Sequence, residues 1–325
     1  MGRRRSALLG VLALTSAVAL GACSNDDGSG VTNLGGSGSG SGTGSGSGSG
    51  SGLGSQLQQG SDNPLVTEAV SQYSAYVNQQ TAEMATLTKV FTDAVRAGDL
   101  QAAQQAYAPS RVPWERIEPI AGLVEELDGK MDARVDDFAG VDDPAFTGWH
   151  RLEYILFAQG TTEGAAPFAD QLDADVATLQ QQLSTIDIPA AAVPVGASEL
   201  IEEVSLGKIT GEEDRYSKTD LWDLGANVDG SRQAMDYLKP ALEEADPDLA
   251  GQIDTAFTEL NATLTPLRQG DGWQLYCVEN DEYPSDRCAG TTTITAQTKD
   301  QLAAQTAALS ELTAQVAGAL NLSGG

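Results

Sequence analysis

Apolar side chains recur at helical intervals through most of this chain. Val66, Val70, Tyr73, Val77, Met84, Leu87, Phe91 and Val95 fall three, four or seven residues apart, which places them along one face of an α-helix. Asn63-Pro64 ahead of them suits an N-cap with proline in the first turn, and Gly98 suits the far end. A shorter helix is expected from Leu100 to Tyr107, stopped by Pro109, which has no amide proton to give. Ile120 to Leu127 repeats the pattern and Asp128-Gly129 reads as a turn. Pro144 to Ala158 carries a stripe of Phe146, Trp149, Leu152, Ile155 and Leu156. Further helical periods run over 168–186, 191–206, 218–245, 248–267 and 295–320, and strand-like alternation is nearly absent. The expected fold is all-α, an antiparallel helical bundle over residues 61–325.

The first 60 residues read differently. Met1-Gly2-Arg3-Arg4-Arg5 and the apolar run after it, too short to span a bilayer, read as a signal peptide over 1–22. The arginine pair also admits a twin-arginine export route. Leu20-Gly21-Ala22-Cys23 resembles a bacterial lipobox, so Cys23 is the expected lipidation site and its acyl chains the expected membrane anchor. Residues 23–60 are nearly all Gly and Ser and cannot bury enough apolar surface to fold. They form an expected disordered tether reaching roughly 35 Å on average. The location implied is lipid-anchored on the extracytoplasmic face of a cell membrane.

Charge and cysteines narrow the classes. The 325-residue chain carries a formal net charge of -28, which repels nucleic acid and anionic lipid and concentrates cations. Solubility or adaptation to salt explains the same acidity. Cys277 and Cys288 lie in a Gly/Asp/Pro-rich stretch, and in an oxidising compartment a disulfide between them is expected. Two cysteines could instead hold a metal, although no histidine lies near them.

The only histidine is His150, and Glu153 follows it by three residues. On a helix both lie on one face, close enough for an imidazole nitrogen and a carboxylate oxygen to share a cation. An amphipathic helix also produces that spacing by chance. Other carboxylates cluster at Glu115 with Glu118, at Asp132 with Asp136 and Asp137, and at Glu212-Glu213-Asp214. On one straight helix Glu118 and Asp132, 14 residues apart, would stand about 21 Å apart along the axis. They can share an ion only if the chain bends between them, and Pro119 favours a bend. With one histidine there is no H-E-x-x-H, and neither a G-x-S-x-G elbow nor a phosphate-cradling glycine motif is present.

Four segments carry a resemblance: Trp114 to Ile120, Leu127 to Phe138, Asp143 to Glu153, and Gly207 to Asp223. Together they resemble the imelysin-like proteins of the EfeO/EfeM iron-uptake type, over nearly everything from about residue 64 onward. The resemblance implies a helical iron-binding protein of the bacterial envelope, without turnover of its own. In that family it works beside a ferrous-iron permease and a haem peroxidase in an EfeUOB-like system. It implies a carboxylate site on Glu115, Glu118, Asp132 and Glu213, with Glu212 as a substitute for Glu213, and a metal-binding pair in His150 and Glu153. The bound ion would be ferrous or ferric iron, while zinc or copper also suit such ligands. Two departures follow: the Gly/Ser tether stands where EfeO has a cupredoxin domain, and Lys218 stands where members tend to have histidine. Imelysins were named as metallopeptidases, so a peptidase acting through a metal-bound water is the alternative. Binding of an anionic polymer through a bridging cation is the third.

Overall fold

The computed structural model describes residues 61–322. The expected signal peptide, lipidated Cys23 and Gly/Ser tether lie outside them. The described residues are predominantly helical, as the apolar periods predict. Helix α1 spans Pro64–Arg96, with the Asn63 side chain accepting from the Leu65 amide at its start. Gly98, at φ +74°, turns the chain back into α2, Leu100–Ile117. Short connections of this kind make neighbouring helices antiparallel.

Three boundaries depart from the sequence reading. Helix α2 does not stop at Pro109 but runs through Pro109 and Pro113 to Ile117. Packing against α1 and the later α7 outweighs the missing amide donors of the two prolines. The chain then bends through a 3-10 turn over Glu118–Leu123 into α3, Glu125–Met131. Asp128 and Gly129, read as a turn, lie inside α3. The bend that brings Asp132 back toward Glu118 lies earlier, at the Pro119 turn and Val124. The segment read as helical from Pro144 becomes helical only at α4, Gly148–Glu153, followed by a π-turn over Tyr154–Ala158. Gly148 sits at φ +75° with the Met131 carbonyl 2.1 Å from where a Cβ would be, so only glycine permits this entry.

Helices α5 (Ala166–Leu183), α6 (Ala192–Leu206), α7 (Asp220–Ala245), α8 (Pro247–Leu264), α9 (Ala296–Thr313) and α10 (Val316–Ala319) complete the bundle. α7 is central: α1, α2, α6 and α8 all pack on it. Its approach to α2 is so close that a Cβ on Gly230 would meet the Arg116 carbonyl at 2.1 Å. A two-residue hairpin pairs β1 (Arg268–Gln269) with β2 (Gly272–Trp273). The segment beyond it carries a disulfide between Cys277 and Cys288, with Cα atoms 5.6 Å apart. No helix among the described residues is long and apolar enough to cross a membrane.

Candidate metal centre

Five stretches deliver polar side chains to one buried locus. On α2, Tyr107, Arg111 and Glu115 follow at intervals of four and share its inward face, with Glu118 at the helix end. Asp132 caps α3, and α4 supplies His150 and Glu153. The loop between α6 and α7 contributes Lys208, Glu213 and Asp214, and α7 adds Asp223 and Asn227. Arg111, Glu115, Asp214, Asp223 and Asn227 have no exposed surface.

A guanidinium fills the middle. Arg111 donates to Asp132, to Glu115, to Glu213 at 3.1 Å and to Asp223 at 3.2 Å. Trp114 Nε1 holds the second Asp132 oxygen at 2.8 Å, and Arg134 Nη1 holds Glu213 Oε2 at 2.6 Å. Lys208 Nζ bonds Glu115 at 3.0 Å and Glu118 at 2.8 Å. Burying this many carboxylates is tolerable only because each meets a donor or a cation.

His150 lies beside Arg111, 2 % exposed, with each nitrogen facing a different set of acids. Nδ1 is 3.4 Å from Glu153 Oε2, 3.5 Å from the Tyr107 hydroxyl and 3.9 Å from Asp214 Oδ1. Nε2 is 3.5 Å from Asp132 Oδ1 and 3.6 Å from Glu213 Oε1, and it has no hydrogen-bond partner. Among the described residues, two triads bring one ligand atom each to within 4.8 Å of one another: Asp132, His150 and Glu213, and His150, Glu153 and Asp214. The second triad is already spent on protein contacts. Glu153 Oε1 accepts from the amides of Tyr216 (2.9 Å) and Ser217 (2.7 Å), while Asp214 accepts from Tyr107 (2.8 Å) and from Thr219. The carboxylates of the first triad also accept from Arg111, Trp114 and Arg134, and what distinguishes that triad is its buried nitrogen without a partner, His150 Nε2.

The surrounding charges set the protonation states. Burial and the nearby Arg111 depress the His150 pKa, but Glu153, Glu213 and Asp132 outweigh them and raise it to about 9. Burial would raise Glu213, yet Lys208, Arg134 and His150 hold it well below the usual carboxylate range. Burial likewise opposes ionisation of Asp132, and Arg111 with His150 more than reverses it. Asp223 and Glu118 go the other way: burial drives both well above the normal range against the pull of Arg111 and of Lys208. Two ligands of the first triad are thus held ionised, while a cation reaching His150 must displace a proton.

All six residues singled out in the sequence, Glu115, Glu118, Asp132, His150, Glu153 and Glu213, come together here. They do not form one ring. Asp132, His150 and Glu213 face one another, Glu153 lies behind the imidazole, and Glu115 with Glu118 face Lys208. Glu212, the alternative to Glu213, is half-exposed and lies 3.3 Å from Arg134. Lys218, where members of the resembled family tend to have histidine, is fully buried and 2.9 Å from Asp281. Sequence reasoning named Asp214 only within its carboxylate cluster and missed Arg111, Lys208, Tyr107, Asp223 and Asn227. Polar residues at 220, 223, 227 and 231, all on the buried face of α7, were the available signal.

Comparison with known proteins identifies the family of the chain. The chain is 47% identical over 233 residues to the "Iron uptake system component EfeO" of Escherichia coli K12, of E. coli O157:H7 and of Shigella boydii serotype 4 (strain Sb227). The match covers 71% of this chain and 61% of each relative, so the chain spans about three fifths of their length. The family model described as "Peptidase_M75: Imelysin" matches residues 69–316, and the chain belongs to the imelysin family.

Proposed function

We propose that this chain is a lipid-anchored iron-binding component of an EfeUOB-like uptake system, which captures iron outside the membrane and hands it on. Its partners in that reading are a ferrous-iron permease and a haem peroxidase, and Cys23 carries the anchor. The carrying observation is the unpartnered Nε2 of buried His150 between the ionised Asp132 and Glu213. One imidazole with two carboxylates suits ferrous iron, and the carboxylates extend that to ferric iron. Glu153 has an orienting role: it accepts from Nδ1–H and turns the Nε2 lone pair toward the other acids, as carboxylate partners of ligating histidines do. Tyr107, the Tyr216 and Ser217 amides and Trp114 hold these groups in place.

Anaerobic titration of the soluble part with ferrous iron tests the site. His150→Ala is expected to abolish binding, and Glu153→Gln to weaken it about 10- to 100-fold, as loss of an outer-shell partner does. Unchanged affinity in His150→Ala removes the site from the reading. The peptidase wording of the family description supports a second reading. Metal-dependent cleavage of an unstructured polypeptide, lost in His150→Ala, would promote it.

A further inference from the structure

Lys208 stands where the other carboxylates would receive a cation. Its Nζ is 3.0 Å from Glu115 Oε2, 3.0 and 2.8 Å from the two oxygens of Glu118, and 3.7 Å from Glu213 Oε1. Asn227 Nδ2 closes the cage from α7, donating to Glu115 Oε2 at 2.9 Å and Glu118 Oε2 at 2.8 Å. The Lys208 side chain is 2 % exposed, and the fully buried Asn227 keeps an Oδ1 without a partner. Three carboxylates from two separate stretches, closing on one point charge, form the donor set that a hard cation takes. Here an ammonium fills it.

We propose that Lys208 is a built-in cation that occupies the Glu115, Glu118 and Glu213 cage and confines metal to the His150 side. The centre then holds one ion, and removing the ammonium opens a second, oxygen-ligated site for a hard divalent or trivalent cation. Glu213 is the hinge of this division. Its Oε1 faces Lys208 at 3.7 Å, His150 Nε2 at 3.6 Å and Arg111 at 3.1 Å, so a charge on either side is felt on the other. A fixed ammonium beside a shared carboxylate lowers affinity for the ion at His150, which suits a carrier that must release its cargo. Arg111 also bonds Glu115 and Glu213 but makes no bond to Glu118, so it does not close the cage in place of Lys208.

This inference rests on the His150 site holding an ion, and the experiment separates the two. Zinc, as a redox-inert probe, and anaerobic ferrous iron are counted per chain by calorimetry and elemental analysis. The natural chain is expected to take one ion and His150→Ala none. Lys208→Met is expected to take two, and Lys208→Met with His150→Ala to retain one. No ion in the natural chain overturns the His150 reading. One ion in the natural chain and one in Lys208→Met overturn the role of Lys208 alone, and two in the natural chain do the same.

Removing a buried ammonium leaves its carboxylates uncompensated, so folding is followed by melting temperature. If Lys208→Met is unfolded in chelator, two equivalents of zinc are expected to restore its transition, and restoration by one or by none overturns the proposal. The double variant Lys208→Met with Glu118→Gln removes the ammonium together with one carboxyl group that faces it and is expected to fold with the second ion lost. Retention of that ion at the affinity of Lys208→Met overturns the assignment of Glu118 to the cage.

Discussion

The contact between α8 and α9 and the interior between α2, α4 and α7 are both buried and are held by opposite means. On α8, Leu249, Ile253, Phe257, Leu260 and Leu264 recur three or four residues apart and are buried, as are Leu302 and Leu309 on α9. The buried hydroxyls of Thr306 and Thr313 are satisfied within α9 by the Leu302 and Leu309 carbonyls. Nothing there depends on direction. Around Arg111 the buried groups are charged and are tolerated through named partners, with His150 Nε2 and Asp223 Oδ2 left without one. An apolar contact accepts any side chain of similar volume, whereas a buried charge network fails when one member leaves.

Arg111→Met is the strongest test of that contrast. It keeps most of the stem but strands Asp132, Glu115, Glu213 and Asp223 together, and removing one partner of a buried ion set costs about 3–5 kcal/mol. We expect the upper end, read as urea unfolding at neutral pH. Arg111→Lys is expected to recover little, because an ammonium cannot reproduce the planar fork. On the apolar side, Leu260→Ala is expected to cost about 3 kcal/mol and Leu260→Met under about 1.5 kcal/mol. Equal losses for Leu260→Met and Arg111→Met would erase the distinction between the two regions.

The same contrast governs what was readable in the sequence. The apolar side was legible because burial there repeats with the helical period, as the residues of α1 and α8 do. Even the cap at Asn63 followed from local chemistry. The run of α2 through Pro109 was not legible, since the packing of α1 and α7 on it decides the outcome and neither is adjacent in sequence. Asp128-Gly129 carries turn chemistry, yet the bend falls at the Pro119 turn and Val124. The locus itself was half legible. His150, Asp132 and Glu213 belong to residue types that announce metal chemistry. Arg111 and Lys208 belong to types that normally lie at the surface, so nothing local marked them as buried. Gly148 was equally silent, because the Met131 carbonyl that demands it is 17 residues away.

A smaller effect separates the regions by pH. The folded-state pKa of His150 is raised from 6.5 to about 9. Its contribution is therefore complete below pH 6.5 and is lost as pH rises through 9, roughly 1–3 kcal/mol in all. Zinc affinity must move the opposite way over that window, because the ion displaces the His150 proton, by at most about ten-fold per pH unit. His150→Gln is expected to flatten the stability slope and to lose the zinc binding, whereas Leu260→Ala shifts stability equally at every pH. Stability and affinity rising together between pH 6.5 and 9 would contradict this protonation scheme.

The smallest effect isolates burial from chemistry. Arg232 on α7 is built like Arg111: its Nε lies 2.9 Å from Asp236, its Nη2 3.1 Å from Asp254, and its guanidinium stacks over the Phe257 ring at 5.3 Å. The difference is solvent, since the Arg232 side chain is 30% exposed and that of Arg111 is not exposed at all. Water screens both pairs, and Asp236 and Asp254 stay hydrated when the arginine is gone. Arg232→Met, which keeps an apolar stem over Phe257, is expected to cost about 0.5 kcal/mol. The gap from the natural chain should close further in about 0.5 M salt, where the screening length drops below the spacing to more distant charges. Arg111→Met should show no such closure, because salt does not enter a site without exposed surface. If the two variants prove equally costly, the number of carboxylate contacts sets the stability of a charge pair here, and its removal from water does not.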